Sequence, residues 1–237
     1  MHEANCRRKD GHEKSLFQDE KPEELGVSMK SLAVEDRGLS PTSVGCGRTT
    51  VFCGCMFSGK TSDLLARLSA CSHSEVLVFK HDIDRRYAAD AIVSHSGFSW
   101  PAISVAEPRQ IPSMISPHTR VVAIEEAHFF DRELVDVSEQ LKADGLDVWI
   151  TTLDRDSWGR PFPLVVQLRA LSDQEIFKTT TCARCNGVAT RTQRLTPIVD
   201  GNLVGGPESY EPRCWVCWKP PRESPPAIEG TIESIST

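Results

Sequence analysis

The run Gly54-Cys55-Met56-Phe57-Ser58-Gly59-Lys60-Thr61 constrains this chain more than any other segment, because two glycines followed by Lys-Thr suit a loop that wraps phosphate. Residues 49–53 before it are β-branched and aromatic and read as a strand. Residues 62–70 after it read as a helix, with Leu64, Leu65 and Leu68 at helical spacing. In the order strand, loop, helix, the main-chain N–H groups of residues 56–60 can turn inward on a phosphate chain, and the helix start adds positive partial charge. Lys60 would reach the outer phosphates, and the Thr61 hydroxyl would hold Mg²⁺. A glycine-rich turn that matches by chance is the competing reading, and the correct flanks count against it. The segment is expected to bind a nucleoside triphosphate.

Apolar runs alternate with helical patterns downstream. Val76-Leu77-Val78-Phe79 lies within residues 75–80, and residues 120–124 (Arg-Val-Val-Ala-Ile) form a second run of the kind found in buried parallel strands. Residues 131–143 put Leu134, Val137 and Leu141 on one helical face, with Gly145 as a stop, and residues 147–152 give a further strand. This order predicts an α/β fold, a phosphate-loop parallel sheet with flanking helices. From Cys182 onward the pattern changes to short segments between cysteine pairs. The expected division is therefore an α/β domain at 47–180 and a small metal-stapled domain at 181–218. Residues 1–46, dense in charge and then linker-like, are expected to be a disordered extension, and the proline-broken residues 219–237 a flexible tail.

A net charge of −6 argues against broad nucleic-acid binding through phosphate neutralisation. No apolar run approaches the roughly 20 residues that cross a bilayer. The N-terminal residues are charged where an export signal would be apolar, so a cytoplasmic protein is expected. Four of the nine cysteines form the pairs Cys182-Ala183-Arg184-Cys185 and Cys214-Trp215-Val216-Cys217. Two such knuckles can present four thiolates tetrahedrally, which suits structural Zn²⁺ better than it suits a redox pair. Cys55, inside the phosphate loop, is a candidate oxidation-sensitive thiol.

Strand residues 121–124 run into Glu125-Glu126-Ala127-His128-Phe129-Phe130. Carboxylates at the C-terminal end of a buried strand sit where open α/β sheets place ligands. One can support Mg²⁺, and its neighbour can take a proton from an attacking hydroxyl. Between the knuckles lies Val204-Gly205-Gly206-Pro207-Glu208-Ser209-Tyr210, which on its own reads as a hairpin turn.

Together these features resemble thymidine kinases of the small tetrameric, zinc-containing type, over residues 51–218. The family loop carries Pro where this chain has Cys55. Asp84-Arg85-Arg86-Tyr87 resembles its Asp-x-Arg-Tyr, and Ser94-His95-Ser96-Gly97 its Ser-His-x-Gly. Glu125-Glu126-Ala127-His128-Phe129-Phe130 resembles its Asp-Glu-Ala/Gly-Gln-Phe-Phe. Leu153-Asp154, Asp156, Gly159 and Pro161-Phe162 match a further motif, and the cysteine pairs with Thr192, Val204-Gly205-Gly206 and Tyr210 resemble its zinc-held lasso.

The resemblance implies transfer of the γ-phosphate of ATP to the 5′-hydroxyl of thymidine, with Glu126 as general base. Gly54 to Thr61 would cradle the phosphates, with Asp84, Arg85, Arg86, Glu125, Ala127 and His128 around them; Lys60 and Arg86 would stabilise the moving phosphoryl group. Mg²⁺ would sit near Thr61 and Glu125. Met56, Phe129, Leu153, Phe162 and Tyr210 would build the base pocket beside Ser157 and Thr192. Main-chain groups of Gly201, Asn202, Leu203, Val204 and Gly205 would bond the thymine edge. A homotetramer inhibited by dTTP is also implied.

Three departures bear on this. Glu125 stands for Asp, His128 for Gln, and Ser157 for a Phe that packs on the base. A lost stacking contact is worth about 1–3 kcal/mol by analogy with bases stacked in nucleic-acid grooves. Altered base selectivity, a degenerate kinase kept for regulation, and a zinc-knuckle module that uses ATP as a switch are the alternatives.

Overall fold

The apolar runs become strands β1 (Thr49–Gly54) and β2 (Val76–His81), followed by a hairpin of β3 (Ala91–Val93) and β4 (Ser99–Pro101), then β5 (Ile103–Val105), β6 (Val121–Glu125), β7 (Asp147–Thr152) and β8 (Gln174–Lys178). Except for the hairpin, these strands form one six-stranded sheet in the order β5-β2-β6-β7-β1-β8, with every neighbouring pair parallel. Three helices flank it: α1 (Lys60–Leu68), α2 (Glu133–Ala143) and α3 (Pro163–Leu171). Beyond β8 the chain makes two small antiparallel pairs, β9 (Thr180–Thr181) with β10 (Val188–Ala189), and β11 (Arg191–Arg194) with β12 (Tyr210–Arg213). The computed structural model describes residues 46–84, 90–94, 97–197 and 204–222, all within the unit Ser43–Thr237. The expected N-terminal extension and most of the expected tail lie outside them.

Side chains alternate across each strand, so one sheet serves two cores. Val121 and Ala123 of β6 join Leu64, Leu65 and Leu68 of α1 on one face, while Val122 and Ile124 meet Leu134, Leu141 and Leu168 on the other. Strands buried on both faces are apolar through their middles, which is why they appear in the sequence as apolar runs, with polar residues such as Lys80, Glu125 and Thr151 only toward their ends. Among the described residues no helix is long and apolar enough to cross a membrane.

Helix α3 and the edge strand β8 were not among the sequence-based expectations. Pro163 opens α3 at its first turn, where a missing N–H costs nothing. Strand β8 pairs with β1 from Thr50–Gln174 to Gly54–Lys178, and its exposed, charged residues hide a strand signal.

Candidate active site

The phosphate loop joins β1 to α1, and its backbone explains its glycines. Gly54 has φ 142°, and a β-carbon there would lie 2.2 Å from the Lys178 carbonyl oxygen of β8. Gly59 adopts φ 82° as the cap of α1, a left-handed conformation that costs glycine nothing. Phe57 adopts φ 63° without that freedom, so the surrounding loop holds it there. The buried Lys60 folds back over the loop, its Nζ donating to the Cys55 carbonyl at 2.8 Å, and Ser58 Oγ donates to the same oxygen at 2.8 Å.

The acidic pair stands across from the loop at the end of β6. Thr61 Oγ1 donates to Glu125 Oε1 at 2.5 Å, and the Thr151 hydroxyl donates to the other Glu125 oxygen. Burial, then the neighbouring Glu126 charge, pushes the Glu125 carboxyl up to about 7. A buried carboxylate disfavoured in this way gains most from a nearby cation. Glu125 and Thr61 therefore suit a hard, oxygen-seeking ion such as Mg²⁺. Glu126 itself takes φ 52°, ψ 47°, which turns the chain sharply after the strand, and its N–H donates to Thr151 Oγ1 at 3.2 Å.

Loop and acids share one open pocket of about 730 Å³, solvent-filled space included. Met56, Lys60, Thr61, Asp84, Glu125 and Glu126 line it, and Gly206 reaches in from the cysteine segment. Ser94, from the Ser-His-x-Gly match, lines it too, as does Lys80, which sequence reasoning did not single out. Lys80 is 3% exposed, and its Nζ donates to the carbonyls of Asp84 (3.2 Å) and Ala91 (3.4 Å), closing the base of the segment between β2 and β3. In the sequence it reads only as the end of an apolar strand.

Of the expected base-pocket residues, Met56 lines this pocket, while Phe129, Leu153, Phe162 and Tyr210 do not. His128 packs against Phe129 and Phe162, at ring-centroid distances of 4.3 and 5.1 Å, and its Nδ1 accepts the Leu153 N–H at 3.3 Å. Ala127 is fully buried in the core. Ser157 is buried, while Trp158 lies beneath the Arg160 guanidinium at 5.4 Å, its N–H held by Asp156. Tyr210 is buried, and its hydroxyl accepts a 2.5 Å bond from Arg194. Gly205 and Gly206 enter a turn closed by Ser209 N–H and Tyr210 N–H on the Gly206 carbonyl, the hairpin-like reading of the glycines alone. Arg85, Arg86, Gly201, Asn202 and Leu203 lie outside the described residues.

Thr192 has a part the sequence did not disclose. Its hydroxyl accepts the Met56 N–H of the phosphate loop at 3.1 Å, while its carbonyl accepts Trp218 Nε1 at 3.2 Å. Cys55 Sγ points to the Ala189 carbonyl at 3.7 Å. Burial pushes the Cys55 thiol up to about 11, so it remains protonated and a poor nucleophile at neutral pH, contrary to the oxidation-sensitive expectation.

The sulfurs of Cys182, Cys185, Cys214 and Cys217 all lie within 4.8 Å of one another. A tetrahedral Zn²⁺ with bonds of about 2.3 Å sets its sulfurs about 3.8 Å apart. Cys185 and Cys214, at 3.5 Å, are close to that spacing, so the cluster can hold a metal of this kind. In the second knuckle the Cys214 carbonyl accepts the Cys217 and Trp218 N–H groups, closing a turn that brings Cys217 back beside Cys214.

A family model described as thymidine kinase matches residues 47–218. The thymidine kinase of Roseiflexus sp. (strain RS-1) is 38% identical over 188 residues, covering 73% of this chain and 96% of that protein. That of Roseiflexus castenholzii (strain DSM 13941 / HLO8) is 37% identical over 190 residues, covering 74% and 96%. Among solved structures, the N-terminal domain of zonular occludens toxin from Neisseria meningitidis aligns over 58% of this chain and 78% of its own at 13% identity, with a TM-score of 0.35. The sequence relatives decide the matter: the chain belongs to the thymidine kinase family.

Proposed function

We propose that this protein transfers the γ-phosphate of ATP to the 5′-hydroxyl of thymidine, giving dTMP. One observation carries the reading beyond family membership: Lys60 and Thr61 of the phosphate loop line the same pocket as Glu125 and Glu126. Phosphoryl transfer needs little covalent chemistry from a protein. It needs the phosphates held, their charge neutralised, and the nucleophile deprotonated in line.

Glu126 is the base in this scheme. It removes the 5′-hydroxyl proton as the oxygen attacks the γ-phosphorus, and the bond to the β-bridging oxygen breaks, leaving ADP. Lys60 leaves the Cys55 carbonyl to pair with the outer phosphate oxygens, with Arg86 assisting. Mg²⁺, held by Thr61 and Glu125, would supply charge neutralisation on the phosphates. Zn²⁺ on the four cysteines would set the 181–218 segment, which we treat as a lasso domain beside the 47–180 phosphate-loop domain. Gly206 places that segment at the pocket, and Val204 and Gly205 immediately precede it. A cytoplasmic homotetramer with dTTP as feedback inhibitor completes the proposal by family analogy.

A coupled ATP-turnover assay on metal-replete protein tests it, with thymidine, deoxyuridine and deoxycytidine compared. Thymidine-dependent turnover that falls by about 10²–10⁴-fold in Glu126→Gln is the expected result. ATP binding without turnover on any nucleoside would refute the kinase reading. Thymidine affinity restored in Ser157→Phe would trace a weakened pocket to the missing ring.

A further inference from the structure

Lys80 is a buried charged group of the pocket for which the transfer scheme has no use. On β2 it is the register partner of Glu125 on β6, so the two side chains leave neighbouring strands on one face, and both residues line the pocket. Only 3% of Lys80 is exposed. An ammonium taken so far out of water must be matched by acceptors, and two of them are main-chain carbonyls, those of Asp84 at 3.2 Å and Ala91 at 3.4 Å.

Those two carbonyls belong to different elements. Asp84 closes the turn that follows β2, its N–H donating to the His81 carbonyl at 3.0 Å. Ala91 opens β3, whose hairpin with β4 stands outside the six-stranded sheet. Ile92 and Trp100 seat the hairpin on the α1 side of the core, and Lys80 adds a tie from the sheet to its first residue. Asp84, Ala91, Ile92, Val93 and Ser94 are the pocket wall that the turn and the hairpin contribute. One ammonium thus fixes both parts of that wall. An apolar side chain in its place would leave two carbonyl oxygens aimed at one point with no donor between them, and they would move apart.

We propose, resting on the phosphoryl-transfer reading above, that Lys80 is a positioning residue: it holds the wall of Asp84 and residues 91–94 where transfer requires it, and it acts on the reaction through Asp84. Asp84 lines the space that Lys60, Thr61 and Glu125 share. A carboxyl group there serves only at a fixed place. Drawn inward it repels the phosphates; held back it can accept hydrogen bonds from water around them. A shift of about 1 Å in such a group can cost about 100-fold in rate.

The test reads the wall and the reaction separately. In the full-length, metal-replete protein, Lys80→Met should lose hydrogen-exchange protection at the bonded amides of Asp84 and Ser94, while β1, β6 and β7 keep theirs. In thymidine-dependent turnover well below the melting temperature, Lys80→Met should lose about 10- to 100-fold in kcat, with the KM values for ATP and thymidine within about threefold. Lys80→Arg, whose fork can donate to two carbonyls, should recover most of that loss. A double-mutant cycle then shows the route: Lys80→Met added to Asp84→Asn should slow the enzyme by no more than about twofold, because the second change has already disabled the residue through which the first acts. If Lys80→Met does not fold, Lys80→Gln, which keeps a donor on a shorter stem, takes its place in every arm. Unchanged protection at both amides would overturn the proposal. So would a wild-type kcat in Lys80→Met with only a lowered Tm, or a double variant much slower than Asp84→Asn. ATP binding without nucleoside turnover in the wild type would instead remove the transfer reading, and the exchange measurement, which needs no turnover, would still decide whether Lys80 holds the wall.

Discussion

From β1 to β8 the chain is held by side chains that fill both faces of a parallel sheet. Beyond β8 it has few buried side chains, a handful of hydrogen bonds and four clustered sulfurs that can hold a metal. Among the described residues past 180, only Cys182, Ala189, Thr192 and Tyr210 are buried, while Trp215 and Val216 of the second knuckle are 65% and 85% exposed. Its strand pairs are two and four residues long, too short to stand alone. Both regions nevertheless reach the same pocket, one through Lys60 and Glu125, the other through Gly206. The first region brings its own stability to the site; the second has little of its own, and a metal on its four sulfurs, with its ties to the first, would supply the rest. That division separates what a substitution in each half should do.

Metal removal should produce the largest effect. Structural zinc contributes about 10–16 kcal/mol to folding in zinc-finger peptides, far more than four buried residues can offer here. Chelation, or Cys185→Ser, should abolish amide protection across 180–218 in hydrogen exchange and leave that of β1, β6 and β7 in place. Equal loss of protection in both regions would break the comparison. In the sheet, Ile150→Ala removes a fully buried side chain between two packed layers and should cost about 2–5 kcal/mol, measured by urea denaturation. Its effect should be global, where chelation is local.

The tie between the regions comes next. Thr192→Val keeps the shape but leaves the Met56 N–H without its partner, which costs about 1–3 kcal/mol when the group is buried. Because Met56 belongs to the phosphate loop, ATP affinity should fall in titration calorimetry while the four-cysteine cluster still binds metal. In the wild type, chelation should weaken ATP binding through the same contact. An ATP affinity unmoved by either change would show that the loop is indifferent to the stapled segment.

What could be read from sequence divides along the same line. The phosphate loop, the buried strands and the cysteine pairs are local patterns: Val121 to Ile124 is apolar because both faces are covered, and the cysteines are spaced by the metal geometry they suit. Residues 147–152 match β7, and the helix expected at 131–143 starts at Glu133, where Asp131 Oδ1 accepts the Glu133 N–H at 2.9 Å. The rest depends on contacts distant in sequence. Met56 and Thr192 are 136 residues apart, and His128 and Leu153 are 25 apart; no window of sequence contains either pair. Lys80 sits one residue after Phe79 in an apolar run, and nothing local announces that its ammonium turns inward onto the carbonyls of Asp84 and Ala91. Strand β8 escaped notice because an edge strand needs one covered face at most, so Glu175 and Lys178 could carry charge.

That edge supplies the smallest effect, and one with a definite pH signature. Asp173, just before β8, accepts Lys142 Nζ at 2.8 Å and the Thr49 N–H at 2.8 Å. The Lys142 bond first, then the Thr49 N–H, holds its carboxyl below the usual range. A carboxyl with a lowered folded pKa contributes stability above its unfolded value of about 3.9, and that contribution is lost as pH falls through the folded value. Because both partners are partly exposed, the contribution should be under about 1 kcal/mol. Asp173→Asn should therefore lower Tm slightly at pH 7, and the gap to wild type should close as the pH falls through the lowered carboxyl value of the folded protein. Glu175, lowered by its bond with Arg169, titrates in the same direction in both proteins and cancels from the difference. A gap that persisted in acid would place the loss in the geometry of the Thr49 bond rather than in charge. Raising ionic strength should shrink a charge-based gap at neutral pH and leave a geometric one untouched. Either way the sheet should lose an edge contact without loosening the four-cysteine segment.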